Sequence, residues 1–229
     1  MKSFHARRDI ASWLAPPLAC LLTWLQCVPP ALFSILPHAS SASWSDSACA
    51  ADPSLNTAAD TYLRKGAPNQ NQGVEPILRL RDAGDNRALV RVDQAALAQL
   101  VGSGQVTSAK LELTITKNGN NWGSTGRTID LHRLTKVWTE LGATWNCAVD
   151  SNPANAKADC SGATAWQMIL GPGNPWVATP TATVLMKNGQ TGTVLLDVTA
   201  DVRAFVAGTQ PNVGWLLRKT NAILLLFLF

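Results

Sequence analysis

Between residues 60 and 93 the chain alternates apolar and polar side chains in three short runs, at 60–64, 77–81 and 87–93. Clusters of Gly, Asn, Asp and Pro separate them, at 66–73 and 82–86. A period of two, bounded by turn residues, predicts three consecutive antiparallel strands. In the second run Leu78 and Leu80 share one face, with Arg79 and Arg81 on the other. In the third, Ala88, Val90 and Val92 lie opposite Leu89, Arg91 and Asp93. The period decides which side chains meet the core, and it leaves an outer face rich in arginine.

The pattern continues downstream. Residues 106–117 predict the clearest half-buried strand, with Leu111, Leu113 and Ile115 opposite Lys110, Glu112, Thr114 and Thr116. The Asn-Gly-Asn-Asn run at 118–121 is a turn signal. Strands follow at 128–134, 193–198 and 213–219, with short ones at 166–169, inside a long Gly-, Pro- and Asn-rich region at 140–180, and at 183–187. Only 94–100 and 199–208 read as helix. Short strands at this spacing predict an all-β fold, a jelly-roll-like antiparallel β-sandwich.

The front of the chain differs. Lys2, Arg7 and Arg8 precede residues 10–36, which hold no charged side chain. A basic start before an apolar run reads as a secretory signal, with small-residue cleavage sites at 41–43 and 48–50. An uncleaved membrane anchor is the competing reading, since about 20 apolar residues span a bilayer. Prolines 16, 17, 29 and 30 argue against it. The expected organisation is a signal and leader at 1–50, a linker at 51–59, the sandwich at 60–221 and an apolar tail at 222–229. The domain is then secreted, extracellular, free of membrane after cleavage, and monomeric.

Composition sharpens this. Of 229 residues 15% are charged, and the net charge is +4, part of it in the leader. That lacks the dense Lys/Arg clustering of a nucleic-acid binder, so no nucleic-acid partner is expected. Cys147 and Cys160 face each other across a polar loop, and in an oxidising compartment such a pair reads as a disulfide. No catalytic constellation is visible, so no enzyme activity is expected. His132 is the lone histidine of the mature region and reads as a structural hydrogen-bonder. No spacing singles out a carboxylate pair of the kind a glycosidase needs. Calcium is compatible with a jelly roll through Asp60, Asp82 or Asp85, yet no loop carries a diagnostic ligand pattern. No cofactor or metal is therefore assigned.

The runs Ala59-Asp60-Thr61-Tyr62-Leu63-Arg64, Asn69-Gln70-Asn71-Gln72-Gly73 and Asp85-Asn86-Arg87-Ala88-Leu89-Val90-Arg91-Val92-Asp93 resemble the DNRLRE-domain family, also classified as carbohydrate-binding module family 96. Similar motifs recur at 127–133, 137–140, 143–146 and 214–219, so the resemblance spans about 60–221. It implies a secreted, non-catalytic jelly roll that binds polysaccharide, with some members resembling alginate binders. On that basis Arg79, Arg81, Arg91, Lys110 and Lys117 become candidates for pairing with carboxylates of an anionic polysaccharide, since guanidinium groups suit bidentate contact. Their alternative role is a solvated face with cross-strand ion pairs. Trp122, beside the Asn-rich turn, is the candidate for stacking on a pyranose ring, while Trp138, Trp145 and Trp215 read as core. A structural or adhesive extracellular module, binding protein or cell-surface partners, is the alternative function. The run Ala222-Ile223-Leu224-Leu225-Leu226-Phe227-Leu228-Phe229 departs from the family. It is either a frameshifted or truncated end that leaves a strand position vacant, or a strand that fills that position.

Overall fold

The computed structural model describes residues 4–7, 53–81, 86–160, 166 and 173–220. Its elements in chain order are β1 (Phe4–Arg7), β2 (Thr57–Arg64), β3 (Leu78–Leu80), β4 (Asn86–Val92), α1 (Gln94–Val101), β5 (Lys110–Lys117), β6 (Arg127–Arg133), β7 (Ala182–Met186), β8 (Gly192–Asp197), α2 (Thr199–Val206) and β9 (Trp215–Lys219). They form two sheets, ordered β3-β1-β5-β8 (sheet A) and β2-β4-β9-β6-β7 (sheet B). Every pairing among these strands is antiparallel. This is the all-β sandwich that the alternation predicts.

The alternation is realised most plainly in β5. Leu111, Leu113 and Ile115 are buried and the residues between them are half-exposed. The facing surfaces of the two sheets enclose one core, built from Tyr62, Leu78, Leu80, Val90, Leu113, Leu131, Trp215 and their neighbours. Both short helices pack against it through Leu97, Val202 and Phe205. Asp93, expected at the end of a strand, instead caps α1, its carboxylate accepting from the Ala96 N–H at 2.7 Å. β9 enters beside β4 through Gly214, at φ +83°, where an added Cβ would stand 2.2 Å from the Val90 carbonyl oxygen. Only glycine fits there.

Two expectations need correction. The first three predicted strands are not a meander. β2 pairs with β4 in sheet B, whereas β3 crosses to sheet A and touches β4's end through the single Arg81↔Asn86 bridge. Also, β2 begins at Thr57, inside the expected linker. Its five successive buried residues show why: both of its faces are covered.

The cover on the second face is a separate apolar cluster outside sheet B. Leu63, Leu89 and Leu216 point away from the sandwich interior and pack with Trp138, Trp166, Trp176 and Val213. The long loop after β6 thus builds its own small core. Trp138 and Trp166 anchor it by donating their indole N–H groups to the carbonyls of Val213 and Thr144, both at 2.8 Å. The disulfide Cys147–Cys160 closes part of this loop, with the Cα atoms 5.1 Å apart. The proposed strand at 166–169 lies, apart from Trp166, outside the described residues. So do the 8–50 leader, Asp82, Asp85 and the 222–229 tail.

β1 belongs to the segment expected to be an export signal, and it lies between β3 and β5. Its register sets Phe4, His5 and Ala6 against Leu80, Arg79 and Leu78.

Candidate functional site

Alternation places Arg79 and Lys110 on the outer face of sheet A, since Leu78, Leu80 and Leu111 fill the core. A register shift opposite His5 and Ala6 brings Lys117 level with His5, the residue that also faces Arg79. Arg79 and Lys117 therefore flank β1 at the same height, about 9–10 Å apart along the hydrogen-bonding direction. Lys110 stands at the far end of β5, roughly 23 Å from Lys117. Arg81 ends β3 in its bridge to Asn86.

These cations are partly engaged. Arg79 pairs with Glu75 at 3.7 Å, both side chains about two-fifths exposed, and its guanidinium lies 5.8 Å from the centre of the Tyr62 ring. Burial raises the Tyr62 phenol above its ordinary pKa, and the Arg79 charge opposes that rise. Lys110 pairs with Asp197 at 3.7 Å. The Asp197 carboxyl is held below the usual carboxylate range, first by the Thr199 backbone N–H at 2.9 Å and less by Lys110. Lys117 is exposed.

Two predicted residues do not join this face. Arg91 sits on β4 in sheet B, pointing away from the core side of Val90 and Val92, with its guanidinium 5.5 Å from the centre of the Trp138 ring. Trp122 is 1% exposed. Lys219 covers its ring, and its N–H donates to the Asn118 amide oxygen. A ring enclosed in this way has no face to offer a pyranose, so Trp122 is a core residue.

The sequence reading missed Arg87. Its guanidinium lies between the rings of Trp145 and Trp176, 4.7 and 5.1 Å from their centres, and donates to the Trp166 carbonyl. His132 lies under the same loop, with Nδ1 2.9 Å from the Val177 carbonyl. Because that oxygen can only accept, Nδ1 carries the proton. Burial lowers the His132 pKa, with Arg218 and Arg87 adding to the effect against the Val177 bond and Asp130. A neutral imidazole that tethers a loop fits the structural role expected of it.

The 66–73 turn is fastened to that loop. Asn71 donates to the carbonyls of Glu140 and Ala143, at 2.7 and 2.8 Å, and accepts from the Gly73 N–H at 2.9 Å. Gly73 lies so close to Glu140 that a Cβ would come within 2.4 Å of its carbonyl oxygen.

Among the described residues no group of three or more His, Cys, Asp and Glu side chains could hold a metal ion, and no helix is long and apolar enough to cross a membrane.

The family model for carbohydrate-binding module family 96 matches residues 51–169, just over half of the chain. The chain belongs to carbohydrate-binding module family 96. The family is one of binding modules, generally non-catalytic, whose partner is carbohydrate. No curated protein and no solved structure matches the chain.

Proposed function

We propose that this module docks an acidic, uronate-containing polysaccharide such as alginate on the outer face of sheet A, outside the cell and without catalysis. The observation that carries the proposal is the placement of Arg79 and Lys117 level with each other across β1, which requires a form of the chain that retains Phe4–Arg7. Two cations about 9–10 Å apart on one sheet face can each meet a carboxylate of one extended polymer. The ion pair that Arg79 makes with Glu75 is no obstacle. Exposed pairs of this kind contribute about 0–1 kcal/mol, so exchanging Glu75 for a uronate costs little.

Affinity electrophoresis tests this. Alginate or pectin in the gel is expected to retard the protein, and added salt to relieve the retardation, because exposed charge contacts are screened. Arg79→Ala combined with Lys117→Ala is expected to abolish retardation while near-ultraviolet circular dichroism stays unchanged. Retardation that survives both changes would show that the basic face does not bind. Equal mobility of the folded protein in every gel would favour the adhesive-module alternative.

A further inference from the structure

A groove of about 450 Å³ runs between residues 67–72 of the turn after β2 and residues 153–156 of the disulfide loop. Its lining holds amides, prolines and alanines, and no charged side chain. Both walls are fixed. Asn69 crosses between them, donating to the Ala156 carbonyl at 2.6 Å and accepting from the Asn146 amide at 2.6 Å. The Asn146 N–H donates to the Pro68 carbonyl at 3.0 Å. Asn71 clamps the first wall to Glu140 and Ala143. On the second wall Asn155 donates to Asp159 and accepts from the Lys157 N–H, both at 2.7 Å. The Cys147–Cys160 bond closes the loop that carries it.

Three of the lining amides are thus used up in building the groove. Two are not. Among the described residues, neither the Gln70 nor the Gln72 side chain has a hydrogen-bond partner. Gln70 is exposed, and although Gln72 is only 9% exposed overall, its amide still reaches water, so both amides line the groove with hydrogen-bonding capacity to spare. An amide presents an acceptor and two donors side by side, which matches adjacent hydroxyls of a sugar ring. The volume lies at the small end of ligand sites. A carboxylate entering here would lose water and meet no lining cation, so the groove disfavours uronates.

We propose that this groove is a subsite for an uncharged pyranose, with the Gln70 and Gln72 amides reading its hydroxyls on a wall held rigid by Asn69, Asn71 and the disulfide. It rests on the carbohydrate-binding class of the module and not on the acidic face of sheet A. The module would then grip an acidic polymer and a neutral one, or neutral residues within a mixed chain, at separate places.

The test uses the full chain in gels containing mixed-linkage β-glucan, galactomannan, alginate or no polysaccharide, at low and high salt. At least one neutral polysaccharide is expected to retard the protein equally at both salts. Gln70→Ala with Gln72→Ala is expected to weaken that binding about tenfold, the equivalent of about 1.4 kcal/mol. Ala154→Trp, which fills the groove from an exposed lining position without removing any of its bonds, is expected to weaken it at least as much. Arg79→Ala with Lys117→Ala is expected to leave it unchanged. No retardation by either neutral polysaccharide would overturn the proposal. So would neutral binding that survives both groove variants, or that is lost in the sheet A variant. Loss of alginate binding alone bears on the acidic-face reading and leaves the groove intact.

Discussion

The ammonium of Lys219 lies 4.1 Å from the centre of the Trp122 ring and donates to the Asn121 carbonyl at 2.8 Å, with the side chain 2% exposed. Alternation along β9 turns Trp215, Leu217 and Lys219 towards the core side, so the lysine closes the end of the sandwich. A desolvated cation–π contact contributes about 2 kcal/mol. Truncating a large buried side chain costs about 2–5 kcal/mol. Lys219→Ala is therefore expected to lower unfolding stability by roughly 2–4 kcal/mol. Lys219→Met, which keeps most of the volume, is expected to cost less but still about 1–2 kcal/mol. Urea unfolding followed by tryptophan fluorescence measures both. A Met variant as stable as the parent would show that the ammonium contributes nothing beyond its packing.

The same contact marks a limit of reading this chain by local pattern. Trp122 stands beside an Asn-rich turn, where an exposed ring would be unremarkable, and the residue that buries it comes almost a hundred positions later. Arg79 and Arg91 show the limit again. Alternation turned both outwards correctly, but it carries no information on which sheet a strand joins. β3 crosses to sheet A while β4 stays in sheet B, so the two arginines end on different outer faces. Strand positions, both short helices and the Cys147–Cys160 bond were legible because period, turn residues and compartment are local or compositional signals. The groove was not, since its walls are brought together by the long-range bonds of Asn69 and Asn146. The Asn-Gln-Asn-Gln run at 69–72 was the available hint.

His132 should make stability depend on pH. Its Nε2 has no hydrogen-bond partner among the described residues, so protonation would bury an unmatched charge. The ordinary value is near 6.5 and the folded value lies below it. Above pH 6.5 both folded and unfolded chains carry a neutral ring, and the stability is fully present. As pH falls below 6.5 the unfolded chain takes up the proton first, so stability declines until the folded pKa has been passed. Chemical unfolding across pH 5 to 8 is expected to show this decline. His132→Phe is expected to flatten it, although the variant also loses the bond to Val177. A slope identical in the two proteins would assign the dependence to other groups.

The Cys147–Cys160 bond closes a loop of sequence separation 13. By loop-closure entropy it contributes about 3 kcal/mol, a model-dependent figure. That loop carries one wall of the groove and adjoins the Trp138–Trp166–Trp176 cluster. Cys147→Ser with Cys160→Ser, or reduction of the parent, is expected to lower the thermal midpoint. Neutral-polysaccharide binding should weaken more than alginate binding, because only the groove depends on the loop. Equal weakening of both would show that the bond supports the sandwich as a whole.

β1 raises a sharper question for the expectation that the chain is exported and its signal cleaved. Signal cleavage after Ala50 would remove Phe4–Arg7 and with it the strand that joins β3 to β5. β3 would then be held by its core leucines and the Arg81↔Asn86 bridge, and the backbone edge of β5 would lose its partner. Unpaired edges are templates for pairing with another chain. A fragment starting at Ala51 is expected to be less stable than the full chain by roughly 2 kcal/mol, since each backbone hydrogen bond contributes about 0.5–1.5 kcal/mol net. It is also expected to self-associate with rising concentration in light scattering, and a peptide of residues 1–10 should reverse that. A monomeric fragment as stable as the full chain would mean that another segment takes the position. The apolar run at 222–229, which the sequence offers as a strand for a vacant position, would then be the first segment to delete.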